Sequence, residues 1–214
     1  MYKKLLLLIF SILLFASCTK IEKTYYDNGQ LKSETQYKNK KRNGISKWYH
    51  PNGSLQLEAS YKNDELHGTV RRYYFNNSLE MVENYKNGIL HGEKRSWDQK
   101  GYLNFIANYD MGKLHGKYIV YYSEDLIQME GQYNQDNYDG DWTYYSLTGQ
   151  IIGEGKFNNG NGIQTEYEYD GSIKKTSTYV NNEKDGKEYL FNKQGDTIQV
   201  NIFQKGKLIE ELTR

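Results

Sequence analysis

The sequence predicts an all-β fold, a single-layer antiparallel meander or solenoid of about eight stacked β-hairpins. Two features of the composition support this prediction. The chain of 214 residues is 37% hydrophobic with a mean hydropathy of -0.91, which is too polar for the thick core of a globular domain of this size. It also sets 22 tyrosines and 20 glycines against one proline, a balance that favours strands joined by glycine turns.

An aromatic residue returns every 24 residues along most of the chain, which indicates a repeat architecture. A second aromatic column, from Tyr25 to Phe191, has the same spacing. Both columns contain one step of 22 residues, and we interpret this step as a two-residue loop deletion between Phe157 and Gly162. The first column consists of Tyr37, Tyr61, Tyr85, Tyr109, Tyr133, Phe157, Tyr179 and Phe203.

Glycine forms a third column with this period, and we expect it to supply the positive φ that turns require. Each repeat also contains a turn such as Asn28-Gly29, because asparagine before glycine is a strong hairpin signal. Asn77 and Asp125 replace the glycine of that turn in two repeats. The glycine column consists of Gly44, Gly68, Gly92, Gly116, Gly140, Gly162 and Gly186.

Alternating residue types within each repeat predict strands with one packed face and one solvated face. A leucine or isoleucine such as Leu55 begins each segment, and the first aromatic column follows six positions later on the same parity. Small residues lie between them, except at Glu83, and a row of glutamates has the opposite parity. The small residues are Thr35, Ala59, Ala107, Gly131, Gly155 and Ser177, and the glutamates are Glu34, Glu58, Glu130 and Glu154.

The N-terminal residues have the pattern of an export signal. Lys3 and Lys4 precede an apolar stretch, 5–14, that is shorter than the roughly 20 residues a membrane-spanning helix needs. Residues 14–18, Leu-Phe-Ala-Ser-Cys, resemble a bacterial lipobox, which implies a lipid on Cys18. The alternative is that Cys18 is an incidental small residue beside an ordinary cleavage site. We predict a lipoprotein signal peptide at 1–17, a short tether at 18–24 and the repeat domain at 25–214.

The composition also excludes several kinds of functional site. Cys18 is the only cysteine, so no internal disulfide, cysteine metal site or thiol nucleophile is available. Without Lys3 and Lys4, 26 of the 28 basic residues remain against 27 acidic ones. Such a balance provides no field that would attract nucleic acid. The predicted location is the bacterial cell envelope, with a lipid anchor in a membrane.

Three histidines, His67, His91 and His115, recur at the 24-residue period and raise the question of a metal ladder. Equivalent positions in successive hairpins lie two strand spacings apart, about 10 Å, whereas the ligands of one zinc ion lie about 2 Å from it. We predict instead that the column holds turn residues, because Asn, Asp and His are enriched at positive φ. Neither a metal nor a cofactor is predicted. The column is Asn43, His67, His91, His115, Asp139, Asn161 and Asp185.

The sequence offers no catalytic residues. The glutamate row contains no pair in contrasting environments that would separate two pKa values. An aromatic column could line a sugar-binding or peptide-binding groove, but a residue type present in every repeat is better explained by a continuous core. The protein is therefore expected not to be an enzyme. We take the neighbouring, partly exposed Trp48, Trp142 and Tyr144 as possible contact residues.

Several segments carry a family resemblance. Residues 85–92, Tyr-Lys-Asn-Gly-Ile-Leu-His-Gly, and residues 109–116 resemble the Tyr-x-x-Gly-x-x-x-Gly core of MORN repeats. Residues 49–58 resemble the Tyr-x-x-Asn-Gly-x-Leu-x-x-Glu pattern of the bacterial variant of that repeat. This resemblance, which extends over nearly the whole chain after the signal, implies stacked hairpins but is hardly specific for function. Proteins of this kind are often labelled antitoxins of toxin–antitoxin systems, and others are scaffolds or lipid-proximal modules.

These observations leave three functions open. The leading hypothesis is a non-catalytic envelope lipoprotein, a repeat scaffold that binds an unknown protein partner or an envelope component. The alternative is an antitoxin or immunity protein that neutralises a toxin, and the second alternative is a glycan- or lipid-binding protein. An enzyme acting on glycans or lipids is disfavoured, because the sequence shows no convergent set of acid, base, nucleophile or metal ligands.

Overall fold

The structure is a computed structural model that describes residues 19–213. It confirms the predicted fold class: strands that follow one another along the chain pair antiparallel in one open sheet of hairpin repeats, except that the short segments 89–90 and 92–97 both pair with the strand before them. The strands are β1 (Thr19–Tyr25), β2 (Leu31–Lys38), β3 (Lys41–Tyr49), β4 (Leu55–Lys62), β5 (Glu65–Tyr73), β6 (Leu79–Lys86), β7 (Ile89–Leu90), β8 (Gly92–Trp97), β9 (Leu103–Asp110), β10 (Lys113–Ser123), β11 (Leu126–Asn134), β12 (Asn137–Tyr145), β13 (Ile151–Asn158), β14 (Asn161–Tyr167), β15 (Ile173–Val180), β16 (Glu183–Phe191), β17 (Thr197–Gln204) and β18 (Lys207–Thr213).

The sheet begins earlier than the sequence predicted. Residues 19–24, which we expected to form a tether, lie in β1, and β1 pairs with β2 from Thr19 opposite Lys38 to Tyr25 opposite Leu31. This pairing satisfies the backbone groups that β2 would otherwise expose at a sheet edge. Cys18 and the predicted signal peptide, 1–17, lie outside the described residues.

Two-residue turns join the strands along one edge of the sheet. Both residues of each turn have positive φ, as in Asn63 (53°) and Asp64 (74°), which is the geometry of type I′ hairpins. Successive turns are also bonded to one another: the Gly88 amide donates to the Leu66 carbonyl at 2.8 Å. The turns are Asn39-Lys40, Asn63-Asp64, Asn87-Gly88, Met111-Gly112, Gln135-Asp136, Asn159-Gly160, Asn181-Asn182 and Lys205-Gly206.

Five-residue turns, such as 26–30, join the strands along the opposite edge. Asn77 (φ 66°) and Asp125 (φ 54°) adopt the left-handed conformation in place of the expected glycine. Tyrosines connect neighbouring units here: the Tyr74 hydroxyl donates to the Trp97 carbonyl at 2.9 Å. Hydrogen bonds therefore tie successive units together at the two-residue turns and several of the units at the five-residue turns.

The glycine column lies inside strands rather than in the turns. Gly92, for example, has a φ of 102°, and in most units the register slips by two residues at this column, as between Glu130 and Gln132 in the pairing of β11 with β12. Such a slip is a β-bulge, which bends the strand and increases its twist. The glycine column therefore supplies the positive φ at these bulges.

The 22-residue step has a different origin from the one we predicted. The turn at Asn159-Gly160 is retained, and β13 pairs with β14 without any slip, so the two missing residues are those of the bulge. Gly162 accordingly does not share the positive φ of the other glycines in its column. The next two-residue turn, Asn181-Asn182, reaches across this shortened unit. The Asn182 side chain donates to the Asp136 carbonyl and accepts from the Tyr138 amide, two units away.

The two faces of the sheet differ in their central rows of side chains. We call the face that carries the first aromatic column the aromatic face and its opposite the ladder face. The aromatic face holds the most buried side chains, among them Ala107 (0% exposed), Ser46 (0%) and Trp142 (2%). Its central row is Thr35, Ser46, Ala59, Val70, Glu83, Lys94, Ala107, Tyr118, Gly131, Trp142, Gly155, Gln164, Ser177, Glu188 and Asn201.

Within residues 19–213, no helix is long and apolar enough to cross a membrane.

Candidate functional site

A cluster of aromatic rings, the aromatic patch, lies on the aromatic face between β9 and β15. Trp142 is at its centre, with ring centroids of Tyr138 at 4.9 Å and Tyr133 at 5.1 Å, both edge to face. This geometry matches the quadrupoles of the rings. The patch consists of Phe105, Tyr118, Tyr133, Tyr138, Trp142, Tyr144, Phe157 and Tyr179.

Glycines on the neighbouring strands make room for these rings. A Cβ atom on Gly131 would lie 2.3 Å from the Trp142 ring, and one on Gly155 would lie 2.3 Å from the Phe157 ring. The Trp142 indole also donates a hydrogen bond to the Gln132 carbonyl at 3.1 Å. Glycine in the small-residue column therefore lets a large ring lie across it, from the adjacent strand at Gly131 and from the same strand at Gly155.

Burial disfavours ionisation of three tyrosines in the patch. It raises the pKa of Tyr133 and Tyr144 well above the ordinary value and raises the pKa of Tyr179 to about 12. A neutral phenol keeps its hydroxyl as a hydrogen-bond donor while the ring offers apolar area. The patch therefore presents half-buried, amphipathic rings around an indole that is itself buried.

Two buried carboxylates lie on either side of the patch. Glu83 accepts from Lys94 at 2.8 Å and from the Tyr85 hydroxyl at 3.0 Å. Glu188 lies on the other side; burial alone would raise its pKa, but hydrogen bonds from Lys184, Ser177 and Asn201 hold the pKa below its usual value. Each carboxylate thus has a lysine and at least one further hydrogen-bond donor beside it, and polar networks limit the apolar patch at both ends.

The ladder face begins as a run of alternating charges. Lys23 lies 2.8 Å from Glu34, and Glu58 lies 3.4 Å from Lys47 and 3.1 Å from Arg71. The hydrogen bond from Lys23 lowers the pKa of Glu34. Each carboxylate in this part of the row has a cation beside it. The full row is Lys23, Glu34, Lys47, Glu58, Arg71, Val82, Arg95, Ile106, Ile119, Glu130, Thr143, Glu154, Thr165 and Thr176.

The same row changes character after Ile119. Glu130 accepts a hydrogen bond from the Tyr145 hydroxyl and Glu154 from the Tyr167 hydroxyl, each at 2.7 Å. Both phenols belong to the second aromatic column, so the residues of this column lie on the ladder face in these units. Two open hollows, of about 430 and 420 Å³, lie beside these carboxylates.

The histidine column connects units, although not through the geometry we predicted. Its residues do not have positive φ; the glycines that follow most of them do. Instead, their side chains accept from the backbone of the next turn: the Asn87 amide donates to His67 Nδ1 at 3.4 Å, and the Asn159 amide donates to Asp139 Oδ1 at 3.1 Å. Among residues 19–213, no three His, Cys, Asp or Glu side chains are grouped to hold a metal ion.

The three contact candidates fall into two classes. Trp142 is buried rather than partly exposed, because it lies across Gly131 on the packed face. Trp48 and Tyr144 are half-buried on the same face. Trp48 packs edge to face on Tyr61 with ring centroids 6.4 Å apart, outside the aromatic patch. Only Tyr144 combines partial exposure with a place in the patch.

One structural column escaped the sequence reasoning. The residue before the first aromatic column packs over the bulge glycine, as when Gln36 Oε1 accepts from the Ile45 amide at 3.1 Å or Asn84 Nδ2 donates to the Glu93 carbonyl at 2.7 Å. Its signal is polarity: the column reads Gln36, Ser60, Asn84, Asn108, Gln132 and Thr178, and Lys156 occupies it in the unit without a bulge.

A family model described as MORN repeat variant matches residues 19–39, 42–63, 66–87, 138–159 and 161–181, together half of the chain. Each matched segment contains one hairpin with a five-residue turn and ends near a two-residue turn. No curated protein matches the chain.

Proposed function

The chain belongs to the family of MORN repeat variants, and on that premise we propose that it is a non-catalytic repeat scaffold that binds a protein partner through the aromatic patch. The observation that carries this proposal is the group of half-buried tyrosines around Trp142. Tyrosine and tryptophan dominate the energetics of protein interfaces, because their rings combine a large contact area with a polar tip and few rotatable bonds.

The composition of the two faces supports this choice of surface. On the aromatic face, the central row passes from Thr35 and Ser46 at the N-terminal end to Tyr118 and Trp142 in the patch. The sheet is a single layer, so no second layer within residues 19–213 covers these rings. A surface with a buried aromatic centre and a polar boundary has the anatomy of a protein-binding site.

Site-specific photo-crosslinking of the full chain in its own cells tests this proposal. A photoreactive phenylalanine replaces Tyr138 in the patch, and the matched control carries it at Tyr49 on the ladder face. We expect one dominant crosslinked protein from position 138 and none from position 49. Purified partner should then bind at least tenfold more weakly to Tyr138→Ala. Equal crosslinking from both positions, or none from position 138, would contradict a partner on this face.

The partner itself decides between a scaffold and an antitoxin. Expression of the captured partner alone, without the repeat protein, is expected to be harmless if the chain is a scaffold. Growth arrest that is relieved by co-expression of the chain would instead assign it as an antitoxin or immunity protein.

We also propose that the protein is a lipoprotein of the bacterial cell envelope, lipidated at Cys18. The charges at the first two-residue turn support the proposal that a membrane lies beside this end of the sheet. Thr19 pairs with Lys38, and Lys38, Lys40 and Lys41 are exposed on or beside that turn, with no ion-pair partner among residues 19–213. Each lysine near an anionic lipid surface contributes about 1 kcal/mol.

Metabolic labelling with a fatty acid tests the anchor. The full chain should incorporate label and sediment with membranes, whereas Cys18→Ala should do neither; Ser17→Ala is the matched control and should behave as the unmodified chain. Label that persists in Cys18→Ala would exclude lipidation at that residue.

A further inference from the structure

The two hollows on the ladder face are equivalent sites in consecutive units. The first lies over β10 to β12 and the second over β13 and β14. Each contains a glutamate and the threonine opposite it in the next strand, at equivalent repeat positions, and each has a lysine at the rim, although Lys117 and Lys156 come from different positions of the repeat. The first hollow is lined by Lys117, Glu130, Gly131, Gln132, Asp141 and Thr143, and the second by Glu154, Gly155, Lys156, Gly162, Ile163, Thr165 and Tyr167.

The carboxylates of both hollows are held in place without being neutralised. Tyr145 donates to Glu130 and Tyr167 donates to Glu154, each to one carboxylate oxygen at 2.7 Å. Neither glutamate lies in an ion pair within residues 19–213, unlike Glu34 and Glu58 in the earlier units. One oxygen of each carboxylate therefore remains an acceptor directed by a fixed phenol.

Hydrogen-bond donors and acceptors line both hollows, and the second hollow adds an aromatic ring. Thr143 and Thr165 add hydroxyls beside the carboxylates, and Lys117 and Lys156 add ammonium donors. In the second hollow, the Tyr167 ring and the exposed Ile163 provide apolar surface. A sugar ring presents this combination to a protein, because its hydroxyls both donate and accept while its C–H face is apolar.

We propose that the two hollows bind an extended polysaccharide strand of β-linked sugars, each hollow taking an equivalent sugar along it. Equivalent positions in adjacent hairpins lie two strand spacings apart, about 10 Å, which is about the length of a disaccharide unit in such a strand. A periodic polymer is the ligand that repeated subsites fit, whereas a folded protein partner presents no such period. Nucleic acid is disfavoured, because Glu130, Asp141 and Glu154 would repel its phosphates.

The loss of the bulge in β14 contributes to the second hollow. In regular units a polar side chain such as Gln132 lies over the bulge glycine, but β13 and β14 pair without a bulge and Lys156 stays exposed at the rim. Gly162 therefore lines the second hollow directly, whereas Gln132 covers Gly140 in the unit before.

Titration of the full chain with defined oligosaccharides tests this proposal. The probes are β-1,4-linked hexamers of N-acetylglucosamine and of glucose, with the dimer of each and an α-linked glucose hexamer for comparison. We expect one β-linked hexamer to bind more than tenfold more tightly than its dimer, because it engages both hollows. Glu130→Gln and Glu154→Gln, which keep the shape of the side chain, should each weaken hexamer binding about tenfold.

Glu34→Gln is the matched control, because Glu34 also accepts from a phenol, Tyr49, but lies beside Lys23. It should leave hexamer affinity unchanged, and all three variants should keep the unfolding midpoint in urea. No binding of either β-linked hexamer, equal binding of hexamer and dimer, or an equal loss in Glu34→Gln would overturn the proposal. These outcomes are independent of the aromatic patch, since Tyr138→Ala changes the opposite face.

Discussion

The first hairpins, β1–β6, and the later hairpins, β10–β15, share one backbone repeat but satisfy their side chains in different ways. In the early hairpins, cations neutralise the ladder carboxylates, as Lys47 and Arg71 do for Glu58. In the later hairpins, phenols hold the carboxylates, and Trp142 forms the centre of an aromatic patch on the opposite face. The repeat thus fixes the backbone, while the two central rows decide whether the carboxylates of a region are paired with cations or, within residues 19–213, held by phenols alone.

The largest expected effect comes from the centre of the later region. Trp142→Ala should lower the free energy of unfolding by about 3 to 5 kcal/mol, because the indole is 2% exposed and packs against several rings. Trp48→Ala, the matched control from the early region, should cost roughly half as much, because Trp48 is only half-buried. Urea unfolding measures both, and equal losses would contradict the difference between the two regions.

The shortened unit can be compared with the regular unit before it. Gly162→Asn should cost about 1 to 3 kcal/mol, because a Cβ there would stand 2.0 Å from the Lys156 carbonyl oxygen. Gly140→Asn should cost less, about 1 kcal/mol, because asparagine tolerates the φ of 65° at that position. Thermal unfolding of both variants checks the order, and a larger loss for Gly140→Asn would mean that the bulge is misplaced.

Alkaline pH should weaken the later region through its tyrosines. Burial raises the pKa of Tyr179 to about 12 from an ordinary value of 10.0, so the folded state favours the neutral phenol. The stabilisation is complete below pH 10 and is lost as pH rises towards 12. After a discount for the partial exposure of the ring, it amounts to about 1 kcal/mol. The control Tyr179→Phe should lose less stability over this range in urea titrations, and an identical pH profile would exclude this assignment.

The smallest expected effect on stability should distinguish the glutamates that are paired with cations from those that accept from a phenol. Glu58→Gln should cost below about 1 kcal/mol at low salt, because its partners Lys47 and Arg71 are 39% and 43% exposed. Added salt should remove this difference. Glu154→Gln should change stability by less than about 0.5 kcal/mol at any salt concentration, because its partner is the Tyr167 phenol. A salt-dependent loss in Glu154→Gln would mean that a cation neutralises it.

Much of the fold could be predicted because the relevant signals are local and repeated. The aromatic and glycine columns set the strand period, and the small residues between them indicated the packed face that Ala59 and Ala107 form. The candidate site was harder to predict. Trp142 occupies a position that looked partly exposed, and only its packing across Gly131 buries it. Residues 19–24 lack the full repeat pattern, so their pairing with β2 was not visible in the sequence.

The sequence by itself determined the all-β repeat, its turns and its 22-residue irregularity, because the period, glycine placement and alternation are properties of neighbouring residues. Only the tertiary structure decided which face each row occupies and which groups meet there. Tyr145 in the bulged β12 and Tyr167 in the bulge-free β14 both reach glutamates of the ladder face, while Tyr133 and Tyr179 pack on the other face. Such partners come from strands more than ten residues apart, and pairing register, rather than sequence spacing, brings them together.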